Sequence, residues 1–414
     1  MVDEGPSVLV CPACSLQQVA GGEIRGALRV EIDGPPPSWP PVAVADPEWL
    51  TEVLPVADAA SLAPLAVGGT PLLDVPRLRS ELGLPRLWLK DDTRNPSGST
   101  KDRASLLVVA KAREYGLNTV ATASTGNAAT ALAAVAAAAG IRAVVLVPAS
   151  APPAKLIQMA SYGAQVVLVD GSYDDAFELS LAVCDRLGWY NRGTALNPFT
   201  TEGKKTLALE IAADLVAEPP DVVIVSAGDG VITSGLAKGF SDLVAWGLLE
   251  REPRLVVVQP EGSPALVEAL RSGAAEVRPH PGANSIADSL VVEWPRNAGR
   301  CLADVRRSGG SGVTVSDTEI VAAIPRLAGL TGVFAEPAAA AVLPGLERVV
   351  EDGLADRDEK IVVVVTGSGL KDVAAAVRGI VLPDPIPGTV DAVVELLERM
   401  VNPKHETGSR DQVE

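Results

Sequence analysis

Aromatic residues are scarce in this chain of 414 residues: six Trp, four Tyr and four Phe. Hydrophobic residues still make up 47% and charged ones 21%, so a large core is available. Histidine is scarcer still. His280 and His405 are the only two, which excludes a multi-histidine metal centre and a long histidine relay. Four cysteines, Cys11, Cys14, Cys184 and Cys301, are too few for a disulfide scaffold and point to a reducing compartment. Positive charge is also short: 35 Lys and Arg against 52 Asp and Glu give a net charge of −17. Nucleic acid and anionic membranes are therefore poor partners. No basic start followed by an apolar run opens the chain, so no signal peptide is expected. The alanine-rich low-charge stretch Ala128 to Ile141 is 14 residues, too short to span a bilayer. The expectation is a soluble, cytoplasmic protein that holds any anionic ligand by a local site.

What is present is an alternation. Short Val-rich runs occur at 86–90, 119–122, 143–147, 165–170, 221–225, 254–258 and 360–365, as buried parallel strands require. Helical candidates lie between most of them: 101–115, 127–139, 154–162, 176–187, 202–215, 234–246, 264–271 and 337–351. This pattern predicts an α/β fold of open parallel sheets with helices on both faces, and two such sheets rather than one. Residues 1 to about 32 form a small N-terminal piece. Pro35, Pro36, Pro37, Pro40, Pro41 and Pro47 mark an extended arm over 33–47. The tail from Asn402 to Glu414 is polar and expected to fray.

Ligands in open parallel sheets bind beyond the C-terminal strand ends. Four segments have that form. Asn95–Ser105 is a small-residue loop ending at Lys101, which opens a helix. A lysine at the positive end of a helix dipole is disfavoured as a cation, one route to a nucleophilic amine; a surface lysine at a helix start is the plain alternative. Ser124-Thr125-Gly126-Asn127-Ala128 is either an anion-binding nest or an ordinary capped turn. Ser226–Gly235 has the composition of a phosphate cradle. The dinucleotide pattern needs a third glycine where Thr233 stands, and a Walker A loop fails at Pro198 and Lys205. Asp229 must therefore point away from a phosphate, cap amides or meet a cation. Thr366-Gly-Ser-Gly369 follows a buried strand and alone is equally a plain turn.

Taken in order, these segments resemble the second fold type of pyridoxal-phosphate enzymes, and within it the threonine synthase family. The resemblance rests on Gly68–Pro71, Lys90–Asp92, Pro96–Arg103, Ser124–Ala128, Asn197–Phe199, Glu202–Thr206, Lys238–Phe240, Glu336–Ala338 and Thr366–Asp372. It covers roughly residues 60–375. It implies pyridoxal 5'-phosphate carried on Lys101 as a Schiff base, with Lys101 later acting as general base. It also implies Asn127 at the phenolic oxygen, the amides of Gly228, Asp229, Gly230, Val231 and Ile232 at the cofactor phosphate, and the Thr366 hydroxyl at the ring nitrogen. The amides of Ser124, Thr125, Gly126, Asn127 and Ala128 would hold the substrate carboxylate. Domains follow by the same likeness: an extension and arm (1–50), a large cofactor domain (51–102 plus 198–383), a small closing domain (103–197) and a C-terminal helix and tail (384–414). A homodimer is expected by analogy.

Departures from the family pattern are as specific as the matches. Thr194, Ala195 and Thr200 stand where the family has Asn, Ser and the Arg that grip the substrate phosphate. Thr200, at the substrate-binding position, cannot supply the bidentate fork of an arginine. Lys204 and Lys205 are the candidates to compensate. Ser368 replaces a histidine, and Asp229 and Ile232 replace asparagines. The expected activity is a threonine-synthase-like elimination or replacement. The alternatives are a serine/threonine dehydratase, a cysteate-synthase-like β-replacement, or a silent ligand-binding paralogue; a nicotinamide-dependent dehydrogenase is the most distant. Cys11-Pro-Ala-Cys14 resembles half of a zinc ribbon, but Gln17–Glu31 holds no second pair, so no metal is expected.

Overall fold

A computed structural model describes residues 5–6, 8–19, 21–124, 126–149, 153–380 and 382–401. Thr125 and the tail with His405 lie outside them. Two sheets are present, in the compact unit that ends at Gly379. The larger has the order β1-β2-β10-β7-β8-β9: Leu72–Asp74, Leu87–Asp91, Ile361–Val365, Val222–Ser226, Arg254–Pro260 and Ser311–Val315. All of its pairs are parallel except β1 with β2. The smaller has the order β5-β4-β3-β6: Gln165–Val169, Arg142–Pro148, Thr119–Ala123 and Tyr190–Asn191, all parallel. The second unit holds the helix Val390–Val401.

The aliphatic composition explains the sheets. β10 reads Ile-Val-Val-Val-Val and is buried throughout. Its side chains alternate between two cores, Val362 and Val364 in one and Ile361, Val363 and Val365 in the other, as the two-residue period of a strand dictates. The helix Lys101–Glu114 shares the first core with β7 and β10 through Leu107 and Val109, and also reaches Leu132 and Val135 of the helix Asn127–Ala139. That second helix is mostly alanine, the strongest helix former.

Several expectations change. β5 is a half-exposed edge, with Leu168 57% exposed, not a buried strand. β6 and β9 were not foreseen, nor were the helices Ala298–Arg307 and Asp317–Thr331. The single helix expected over 202–215 is two, Pro198–Lys204 and Thr206–Asp214. The first begins early because Asn197 caps the amide of Phe199 and Pro198 suits the first helical position. The segment before Pro47 carries bends and a turn closed by the Asp46 amide on the Ala43 carbonyl, and Pro47 already starts a short helix, Pro47–Val53. No helix among the described residues is long and apolar enough to cross a membrane.

Candidate active site

One cavity of about 690 Å³ collects residues from all four candidate segments. It lies where β3, β7 and β10 end, at Ser124, Ser226–Gly228 and Thr366. Its walls include Lys101, Ser124, Gly126, Asn127, Ala128, Gly228, Asp229, Gly230, Val231, Ile232 and Thr366. Thr200 is not on them. Its hydroxyl is turned to the backbone carbonyls of Thr194 and Asn197.

Lys101 is the first residue of its helix. The preceding residue is tied to the strand end, since the Thr100 amide donates to the Thr366 carbonyl at 2.9 Å. Burial lowers the Lys101 amine to about 8; Glu336 and Asp229 oppose this and Arg192 adds to it. Arg192 is fully buried directly after β6 and donates to the Lys101 carbonyl (3.4 Å), Ser105 Oγ (3.3 Å) and Thr194 Oγ1 (2.6 Å).

The Asn127 amide nitrogen donates to Glu336 Oε1 at 2.7 Å. Its buried Oδ1 has no partner, and neither has the buried hydroxyl of Ser99 on the same cavity wall. Glu336 is buried, which raises its pKa against the pull of Lys371, Lys155 and Lys101.

The cradle cannot tolerate side chains at its glycines. Gly230 has φ +83°, and a Cβ there would lie 2.6 Å from Cys301 Cβ; one on Gly228 would lie 2.9 Å from the Ser289 carbonyl. The helix Val231–Ala245 then starts with no side-chain cap, so its first amides remain available to an anion. Asp229 caps an amide, the second of the options set out above: its Oδ1 accepts from Arg296 N at 2.8 Å. Arg296 also donates to Gly22 O at 3.1 Å, which fastens the N-terminal extension at the cavity rim.

The other departures resolve locally. Ser368 accepts from the Leu370 amide and caps a short turn. Lys205 pairs with Glu202 and Asp242, whereas Lys204 reaches the cavity wall. Cys11 and Cys14 are free thiols. No group of three or more metal ligands occurs among the described residues.

The family of pyridoxal-phosphate dependent enzymes matches residues 63–367. Threonine synthase from Methanocaldococcus jannaschii is 37% identical over 350 residues, covering 84% of this chain and 86% of that protein. The Mycobacterium tuberculosis threonine synthase is 34% identical over 360 residues, 87% of this chain and 96% of its own. This chain belongs to the threonine synthase family of pyridoxal-phosphate-dependent enzymes. Processed threonine deaminase isoform 2 from Solanum lycopersicum has the same fold, with a TM-score of 0.67 at 20% identity over 85% of this chain and 98% of that one. Maize serine racemase gives 0.63 at 24% identity over 80% and 94%.

The family's cofactor is pyridoxal phosphate, and the chemistry is that of a threonine-synthase-like lyase. The cavity fits the group. It offers an amine of lowered pKa, two buried polar atoms without partners, and a glycine cradle with no room for Cβ atoms. Sequence reasoning missed Arg192, because a two-residue strand before it is too short to register as a pattern. Glu336 was visible as a motif without a role. One result follows from the lowered amine. Uptake of added pyridoxal phosphate by the cofactor-free protein should quicken as pH rises and level off above about 8, because the neutral amine attacks the aldehyde. An ordinary lysine would keep accelerating toward 10.5. Stopped-flow absorbance across pH 6.5–10 reads this directly.

Proposed function

We propose that this enzyme converts O-phosphohomoserine to threonine with the release of phosphate, using Lys101 as its acid–base residue. The observation that carries the reading is the meeting of Lys101, Asn127, the Gly228–Ile232 cradle and Thr366 around one cavity. Bound pyridoxal phosphate supplies the electron sink for charge left at the α carbon. The amides of Gly228, Asp229, Gly230, Val231 and Ile232 would hold its phosphate, Asn127 would bind its phenolic oxygen and the Thr366 hydroxyl would bind its ring nitrogen. The amides of Ser124, Thr125, Gly126, Asn127 and Ala128 receive the substrate carboxylate. Lys101 Nζ takes the α proton and then a β proton as the γ-phosphate departs, and returns protons at the γ and α carbons while water gives its hydroxyl to the β carbon and its remaining proton to the phosphate; a pKa near working pH suits both directions.

The segment 103–197 closes over the substrate as a small lobe and keeps water out until it is needed. The Lys155–Asp288 ion pair at 2.5 Å supports this, since Asp288 lies on the cavity wall and Lys155 on the helix Pro153–Ser161. A cytoplasmic setting and a homodimer complete the proposal.

A second reading, a dehydratase with a hydroxyl leaving group, is favoured by the missing guanidinium at position 200. The test is product analysis after incubation with O-phosphohomoserine and, separately, with threonine and serine. Equal amounts of phosphate and threonine from the first are expected. A 2-oxo acid and ammonia from the hydroxy amino acids, with no phosphate released, would replace this reading by the second.

A further inference from the structure

Resting on that reading of the site, we infer that Lys204 is the cation that receives the substrate's leaving phosphate, in place of a guanidinium at position 200. Lys204 ends the helix Pro198–Lys204 and is fully buried. Helical side chains lean back toward the N-terminus, and its Nζ folds back one turn to donate to the Thr200 carbonyl at 3.2 Å. The amine thus stands beside the position from which an arginine at 200 would project. The stem is held there: Gly235, on the helix Val231–Ala245, would clash with Lys204 Cβ at 2.5 Å if it carried a Cβ itself.

Neighbouring buried lysines are matched to carboxylates. Lys205 and Lys238 both meet Asp242, at 3.0 and 2.5 Å. Lys204 forms no ion pair with any described carboxylate and faces the cavity alongside Lys101 and Thr194. Burial, with Arg192 and Lys101 nearby, pushes its amine well down; Asp229 opposes them, but one oxygen of that carboxylate is already bonded to the Arg296 amide. A buried lysine without a carboxylate costs stability that an apolar side chain would not. An arriving dianion supplies the missing counter-charge, and Arg192 supports it through Thr194, whose hydroxyl it holds at 2.6 Å. The leaving group that this site fits is therefore a phosphate-type dianion on the amino-acid substrate.

The test uses the cofactor-loaded enzyme and inorganic phosphate as the probe, by calorimetry. Lys204→Met and Lys204→Gln should bind phosphate about 30-fold or more weakly than wild type. Their melting temperatures should be no lower, because each removes a buried amine that has no carboxylate partner. The double variant Thr200→Arg/Lys204→Gln should recover at least about tenfold of the loss. Phosphate affinity equal in wild type and Lys204→Met would overturn the inference. So would a double variant as weak as Lys204→Gln, because it would assign the loss to packing rather than charge. Lys204-dependent phosphate binding without phosphate release from O-phosphohomoserine would sink the proposed reaction and leave this anion site standing.

Discussion

Lys101→Ala is expected to lower turnover by about three orders of magnitude or more while the protein stays folded. The amine opens a helix whose other residues carry the packing. Asp102 to Ala112 are all buried, whereas Lys101 itself is only partly so. It forms no ion pair with a described carboxylate, and its charged form is disfavoured by burial. Its removal therefore takes away chemistry and leaves the core intact. Steady-state kinetics and a thermal melt by circular dichroism check both halves together. Turnover within tenfold of wild type would remove Lys101 from the mechanism.

The second large effect is on stability. Arg103→Ala should cost about 3–5 kcal/mol. The guanidinium is fully buried and grips Asp92 with two bonds, at 2.9 and 2.8 Å. It also reaches Glu210 Oε2 at 2.8 Å and Thr206 Oγ1 at 2.9 Å. Burial pushes both carboxyls up, but Arg103 outweighs it and holds them below their ordinary 3.8 and 4.5. Carboxyls with depressed folded values add stability above their unfolded values and lose it as pH falls through the folded ones. The wild-type advantage over Arg103→Ala should thus be full at pH 7 and shrink below about pH 4. Denaturant midpoints at pH 7 and pH 3.5 measure it. A variant as stable as wild type at pH 7 would contradict the account.

The strands that sequence made legible are those with unbroken aliphatic runs. β7, β8 and β10 fall where Val-rich segments predicted them. β9 begins Ser-Gly and β6 has two residues, so neither carries a run long enough to register. Pro325 sits inside the helix Asp317–Thr331 and masks its period. The site was readable where a loop follows a strand, which is why Lys101, Asn127, the cradle and Thr366 lie together on the cavity wall. It was unreadable where direction decides. Lys204 and Lys205 are adjacent in sequence, but successive helical residues point about 100° apart. Asp242, 37 residues away, pairs with Lys205 and leaves Lys204 to the cavity. Thr200 was picked by its place in a motif, yet its hydroxyl goes to backbone carbonyls. Asp229 was an open question until Arg296, far along the chain, supplied the amide it caps.

The most direct measurement is to reduce the cofactor-loaded enzyme with borohydride and map the labelled peptide by mass spectrometry. The account predicts pyridoxyl phosphate on Lys101 alone. Lys204, a second cavity amine of lowered pKa, is the nearest rival, and a label there would contradict it.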